Sequence, residues 1–133
     1  MKTIEYNIGP KTLHLYMNGD AMFAIQDLDK DNLDGAADAV ERMMTNDADG
    51  NKLLCKIAHI LATQGELCRR YLQFTPSRIP TDQELILLLS PMQLIGLRAA
   101  VIQAINAGYS QQGADDEGDI DTGLAELEKK TKL

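Results

Sequence analysis

The chain has 133 residues, of which 44% are hydrophobic and 25% charged, so it can form one domain with a hydrophobic core but is too short for two ordinary domains. Its formal net charge of −7 at pH 7 argues against nucleic-acid binding through phosphate neutralisation. No apolar run reaches the roughly 18 residues that a membrane span needs. Because Glu5 stands where a signal peptide has its apolar core, we expect a cytoplasmic protein that contacts no membrane.

Residues 3–17 are predicted to form a β-hairpin. Polar and apolar residues alternate on both sides of Gly9-Pro10, and this dipeptide is strong turn chemistry. An isolated hairpin is only marginally stable in water, so this one is expected to pack on the helices that follow it.

Three helices are predicted next, at 21–28, 32–44 and 52–74, and the third is the longest. Its apolar face consists of Leu53, Leu54, Ile57, Ile60, Leu61, Gln64, Leu67, Cys68, Tyr71 and Leu72. Its polar and charged back consists of Lys52, Cys55, Lys56, His59, Thr63, Glu66, Arg69, Arg70 and Gln73. Cys55 and Cys68 lie about 20 Å apart along such a helix, which excludes a disulfide between them and predicts two free thiols.

Two further helices are predicted at 81–89 and 91–107. Thr81 and Glu84 have the spacing of a capping box, and Gly108 is expected to end the last helix. Residues 113–133 contain seven acidic residues and three lysines, so we expect a disordered tail. Within it, 124–130 is expected to form at most a marginal helix. The predicted fold is mainly α (α+β): an N-terminal β-hairpin packed on a bundle of about five helices in one domain at 1–109, followed by a flexible acidic tail at 110–133.

The predicted helix at 91–107 has two faces that can pack. One is apolar, with Leu94, Leu97, Val101, Ile102 and Ile105, and the other is small, with Gly96, Ala100, Ala104 and Ala107. The small face either packs inside the chain's own bundle or docks a second chain. Arg98 falls within the apolar stripe, so its guanidinium needs a carboxylate or carbonyls of this chain, a route to the surface, or an acid from a partner. The candidate partner-binding residues are therefore Gly96, Arg98, Ala100 and Ala104.

Other patterns in the sequence give weak signals for a metal site or a catalytic site. Residues 27–38 begin like an EF-hand loop, but Asn32 replaces the turn glycine and Asp38 replaces the final glutamate. Cys55 and His59 stand four residues apart on a helix, which supplies only two of the ligands that a structural zinc needs. No catalytic or phosphate-binding motif is present. We therefore expect a protein without catalytic activity, cofactor or metal.

The order of these elements resembles that of the tail assembly chaperones of long-tailed bacteriophages. The resemblance covers residues 3–108 as architecture. It consists of the two hairpin strands, Thr3-Ile4-Glu5-Tyr6-Asn7 and Thr12-Leu13-His14-Leu15-Tyr16-Met17, the helix start Asn18-Gly19-Asp20-Ala21-Met22-Phe23, and the last helix Gln93-Leu94-Ile95-Gly96-Leu97-Arg98-Ala99-Ala100-Val101-Ile102-Gln103-Ala104-Ile105 before an acidic tail.

The resemblance implies a function and a partner. Such chaperones bind the long, helical tape measure protein in the host cytoplasm, keep it soluble during tail assembly, act without catalysis and tend to self-associate weakly. In many phages a ribosomal frameshift also produces a longer form. The alternative is a generic helical interaction or regulatory module of bacterial or mobile-element origin that binds one protein partner.

Overall fold

A computed structural model describes residues 3–28 and 35–115, with the side chains of the last helix described as far as residue 110. The elements are, in chain order, β1 (Ile4–Ile8), β2 (Lys11–Leu15), α1 (Gly19–Asp27), α2 (Gly35–Met43), α3 (Ala48–Tyr71), α4 (Asp82–Leu88) and α5 (Pro91–Asp115). The mainly helical fold with an N-terminal hairpin is confirmed. Within the described residues, no helix is both long enough and apolar enough to cross a membrane.

The hairpin lies directly against α3. Its strands pair antiparallel with Ile4 opposite Leu15, and the turn places Gly9 at a φ of 58°, a conformation that glycine adopts without steric cost. Beyond β2, the Tyr16 amide donates to the Leu61 carbonyl of α3 at 3.1 Å. A methyl group on Gly65 of α3 would lie 1.8 Å from the His14 carbonyl oxygen. The glycine therefore lets the strand backbone approach the helix.

α3 is the central element and contacts five other helices or strands along its length, namely β2, α1, α2, α4 and α5. Its first turn is capped by the Asp47 carboxylate, which accepts from the Gly50 amide at 2.7 Å. The residues that it buries are Gly50, Leu54, Cys55, Ile57, Ala58, Leu61, Ala62, Gly65 and Glu66.

The predicted apolar face of this helix is only partly correct. Glu66, assigned to the charged back, is 4% exposed, whereas its neighbour Leu67, assigned to the apolar face, is 51% exposed. Cys55 is likewise buried and Tyr71 exposed. The reason is that small residues, and Gly65 above all, determine where the hairpin can come closest to α3, so the buried face turns toward them.

α3 ends at Tyr71 in a Schellman-type arrangement. The Phe74 amide donates to the Arg69 carbonyl at 2.9 Å and the Gln73 amide to the Arg70 carbonyl at 3.0 Å. Gln73 takes the left-handed position, with a φ of 68°, that glycine occupies in most such caps.

Of the two predicted helix ends, the N-terminal capping box of α4 is present in the structure and the C-terminal stop of α5 is not. The capping box is confirmed, with the Thr81 hydroxyl accepting from the Glu84 amide and the Glu84 carboxylate from the Thr81 amide, both at 3.1 Å. The stop at Gly108 is wrong, because α5 continues to Asp115 and Gly108 makes room inside the fold for Met17. The predicted domain boundary at 109/110 therefore falls inside α5, and the rest of the predicted tail, 116–133, lies outside the described residues.

Candidate protein-binding surface

The small-residue face of α5 is covered by the chain's own hairpin. A methyl group on Gly96 would lie 3.1 Å from the Tyr6 hydroxyl oxygen, and that hydroxyl donates to the Gln93 carbonyl at 2.7 Å. One and two turns further along, Ala100 and Ala104 are buried. Of the two roles left open for this face, packing inside the chain's own fold is the one that the structure has.

Arg98 is also used within the chain. Its Nε donates to the Met43 carbonyl at 3.0 Å, and its terminal nitrogen donates to the side-chain oxygen of Asn51. It thereby binds the carbonyl of the last residue of α2, a group that the helix itself leaves unpaired. All four predicted partner-binding residues, Gly96, Arg98, Ala100 and Ala104, thus make contacts inside the fold or are buried in it, and the most exposed apolar side chains lie elsewhere.

The two most exposed aliphatic side chains in the described part of the chain, Leu87 and Met92, lie where α4 turns into α5. Leu85 and Leu89 anchor this junction in the core. The exposed side chains are Ile86, Leu87, Leu88 and Met92, which we call the elbow. Leu87 is 82% exposed and Met92 is 76% exposed, which is far from the burial usual for large aliphatic side chains. All four fall within seven residues of sequence, so the elbow is a local apolar surface.

The first turn of α4, which leads into the elbow, is polar and acidic. α4 itself has no lysine or arginine, and Asp82, Gln83 and Glu84 form its first turn. Arg78, just before α4, donates from Nη2 to both oxygens of the Glu84 carboxylate, at 2.8 and 2.7 Å. An apolar centre with a polar and acidic border suits an amphipathic helix whose flanking residues are neutral or basic.

A second exposed stripe runs along the outer side of α5. Its members are Ile95, Ala99, Ile102, Asn106 and Tyr109, which we call the outer stripe. Ile95, Ala99, Asn106 and Tyr109 are exposed and Ile102 is half-buried. Arg98, whose guanidinium binds Met43 and Asn51, is the only charged residue in α5 before Asp115.

Comparison with protein-family models, with curated proteins and with solved structures gives no match. The functional assignment therefore depends on the chain's own surfaces and on the order of its elements.

The end of α3 holds a buried carboxylate that the sequence pattern did not reveal. Glu66 accepts from the Ser77 amide at 2.6 Å, from Arg69 at 3.0 Å and from Arg70 at 3.4 Å. Burial by itself would raise the pKa of Glu66, but these three donors outweigh it, and the net effect lowers the pKa. The spacing of a glutamate three and four residues before two arginines was the available signal. This network ties the loop after α3 back to the helix.

The polar groups around the hairpin turn do not form a free binding site. A cleft of about 370 Å³ is lined by Pro10, Lys11, Thr12, His14, Arg69 and Ser77. Its two permanent cations are already bonded, Arg69 to Glu66 and Lys11 to the Ser77 hydroxyl at 3.3 Å. The cleft therefore contains no unpaired permanent cation for an anionic ligand.

The geometry also disfavours Cys55 and His59 as metal ligands. Cys55 was predicted to lie on the exposed side of the helix, but it is buried. Burial raises the pKa of its thiol to about 11. His59 uses Nδ1 for the Pro80 carbonyl at 2.8 Å. In the described ranges, no three side chains of His, Cys, Asp or Glu come together as a metal site. Half of the EF-hand-like stretch, 29–34, lies outside those ranges.

Proposed function

We propose that this chain is a tail assembly chaperone of a long-tailed phage or prophage, which binds the tape measure protein and keeps it soluble in the host cytoplasm without catalysis. The observation that carries the proposal is the elbow. A chaperone that holds a helical client needs an exposed apolar surface in its folded state, and Ile86, Leu87, Leu88 and Met92 supply one.

Covering the elbow with a helix of the client would contribute hydrophobic free energy to binding. Fully burying a leucine, isoleucine or methionine side chain contributes about 1.5–3 kcal/mol. Four such residues offset part of the cost of association and of ordering the client, which suits a transient complex. The net charge of −7 keeps the chaperone itself soluble while the apolar surface is exposed.

The test is co-expression with the tape measure protein encoded in the same genome, with the soluble fraction of that protein as the readout. We expect the wild-type chain to raise the soluble fraction and Leu87→Asp to abolish most of the gain. The matched control is Phe23→Asp, because Phe23 is also an exposed apolar residue but lies on α1, which packs on α2 and α3.

Each result has a separate meaning. A client that stays insoluble with the wild-type chain would contradict the chaperone assignment. Equal rescue by wild type and Leu87→Asp would keep the assignment but move the binding site away from the elbow. The weak self-association implied by the resemblance belongs to the same proposal, and light scattering across a wide concentration range measures it.

A further inference from the structure

The elbow continues into the outer stripe along one side of α5. Met92 is the last residue of the elbow, and the outer stripe begins three residues later at Ile95. From Met92 onward the intervals are three, four, three, four and three, which is the heptad spacing of a coiled-coil seam. The six residues at this spacing, which we call the seam, are Met92, Ile95, Ala99, Ile102, Asn106 and Tyr109. At 1.5 Å per residue, the seam is about 25 Å long.

The seam faces solvent along its whole length. Five of its six residues are exposed, and Ile102 is half-buried. Leu97 and Ala104, which occupy the opposite position of the heptad, are buried in the core. The helix is therefore fixed to the bundle by one side, and on its other side it can accept a further helix.

The size and charge of this surface favour a client helix over a second copy of the folded chain. The four elbow residues and the five residues of the outer stripe form a smaller contact than the roughly 20–30 residues a side of a stable interface. A second copy would also bring another net charge of −7 to the contact. A single helix with its own heptad repeat needs only such a seam, because its apolar residues pack between those of the seam. Ala99, at the centre, has a small side chain that lets the backbone of that helix come close.

The residues beside the seam do not select a partner by charge. In coiled coils this selection is made by charged residues that flank the seam. Between residues 92 and 110 the only charged residue is Arg98, and its guanidinium binds groups of α2 and α3. Selection of a partner helix and of its register therefore depends on the seam residues themselves.

Asn106 is the most polar residue of the seam. It is exposed, and its side-chain amide makes no hydrogen bond to a group in the described part of the chain. This amide has two N–H donors and a carbonyl acceptor, and an apolar side chain that covered them would leave them without partners. A facing polar side chain would satisfy them. A single asparagine in a heptad seam fixes the register of the paired helices in this way, at a cost in stability.

We propose that the seam binds a heptad-repeat helix of the client, and that Asn106 sets the register of that helix by hydrogen bonding to one of its polar residues. The client is the tape measure protein, so this assignment rests on the proposed chaperone function. The preference for a heptad helix with a polar residue opposite Asn106 is a property of the seam, and peptides measure it without the client.

Three synthetic peptides of three heptads each test the seam in the full-length chain. The first has leucine at its core positions except for one central asparagine, the second has leucine there as well, and the third is a scrambled form of the first. Fluorescence anisotropy measures each Kd at a labelled-peptide concentration too low for the peptide to pair with itself. We expect the wild-type chain to bind the asparagine peptide about tenfold more tightly than the leucine peptide, and the scrambled peptide more weakly than either.

Two variants locate the site. Ala99→Glu places a charge at the centre of the seam and should weaken binding of both heptad peptides by at least about tenfold. The matched control is Ala37→Glu, at an exposed alanine of α2, which should bind them as the wild type does. Asn106→Leu should reverse the preference and bind the leucine peptide more tightly.

Three results of the peptide measurements would overturn the proposal. Binding that Ala99→Glu leaves intact, or a scrambled peptide that binds as tightly as the heptad peptides, would show that the seam is not the site. A preference for the asparagine peptide that is absent in the wild type, or that survives Asn106→Leu, would overturn the role of Asn106.

Co-expression with the tape measure protein separates this proposal from the chaperone function. Rescue by the wild-type chain that Ala99→Glu leaves intact would keep the chaperone function and overturn the seam as the client site. Peptide binding of the expected kind without rescue would contradict the chaperone function alone. Light scattering of the free chain tests the other occupant, since a dimer mass that Ala99→Glu removes would overturn the proposal by showing that a second copy occupies the seam.

Discussion

The two sides of α5 differ in burial, and hydrophobicity alone would predict the opposite: the side with small residues is buried, and the side with larger apolar residues faces outward. The side with Gly96, Ala100 and Ala104 packs against the hairpin, whereas the side with Ile95, Ala99 and Tyr109 faces outward. Small residues mark the buried contact because they let the Tyr6 ring and Met17 come close to the helix backbone. Which side of this helix is buried thus depends on two factors, the hydrophobicity of its residues and how closely a neighbouring element can approach the backbone.

The largest expected difference between the two sides is in the free energy of unfolding lost when an aliphatic residue of each side is truncated. Leu97→Ala should lower the free energy of unfolding by about 2–5 kcal/mol, because Leu97 is fully buried and its loss leaves a cavity. Ile95→Ala, two residues away on the outer side, should change it by no more than about 0.5 kcal/mol. Urea denaturation of both variants checks this. Similar losses at the two sites would contradict the orientation of α5.

On α3 the buried and exposed sides are represented by the neighbours Glu66 and Leu67. We predict that the contribution of Glu66 to the free energy of unfolding depends on pH. Glu66→Gln should lower the free energy of unfolding at pH 7 by about 1–3 kcal/mol, since charge-assisted hydrogen bonds are lost in a buried site. The folded state lowers the pKa of Glu66, so its stabilisation is complete above the unfolded pKa of about 4.3 and falls as the pH drops toward the folded pKa.

Denaturation of wild type and Glu66→Gln between pH 7 and pH 3 measures this. The difference between them should shrink only below about pH 4.3. The matched control is Leu67→Gln, because Leu67 is adjacent and half-exposed, and its effect should not vary with pH in the same way. A constant difference across the range would show that the carboxylate charge contributes nothing.

Gly108 gives a test of close packing inside α5. Gly108→Ala should lower the free energy of unfolding by about 1–2 kcal/mol even though alanine is the better helix former, because its methyl group would lie 2.5 Å from Met17 Cβ. Gly19→Ala is the control, since a methyl group there meets nothing within 4 Å. Thermal unfolding of both variants measures the effect, and stabilisation by Gly108→Ala would place this glycine outside the packed face.

The smallest effect is expected on the outer side. Ala99→Leu should change the free energy of unfolding by less than about 0.5 kcal/mol, because the added side chain extends into solvent. Ala104→Leu, on the buried side, should lower it by about 1–3 kcal/mol through overpacking. Chemical denaturation of the pair measures both, and the prediction fails if Ala99→Leu is the more damaging change.

Local patterns in the sequence predicted the secondary structure well. The hairpin follows from alternation around Gly9-Pro10, and the start of α4 from the reciprocal hydrogen bonds of Thr81 and Glu84. Such features depend on neighbouring residues alone. The end of α5 was missed because Gly108 has the composition of a helix stop, whereas its role is set by Met17, ninety-one positions earlier.

The sequence pattern also did not predict which apolar side chains remain exposed, and the reason is related. A helical wheel separates apolar from polar residues, but it does not say which neighbour covers which side. Glu66 illustrates this, since the donors that make its burial possible include an amide eleven residues away at Ser77. The elbow was likewise hidden, because an apolar run such as Ile86-Leu87-Leu88 has the composition of a core helix while only Leu85 and Leu89 are anchored in the core.

The rate of thiol modification at Ala99→Cys and at Ala104→Cys, each in a Cys68→Ser background, tests the orientation of α5 most directly. We predict that the thiol at position 99 reacts like that of an unstructured peptide. The thiol at position 104 should react at least about 100-fold more slowly, because it is reached only through an opening that costs about 3 kcal/mol or more. Equal rates at the two positions, or faster reaction at position 104, would show that the small-residue face is exposed and would contradict the account.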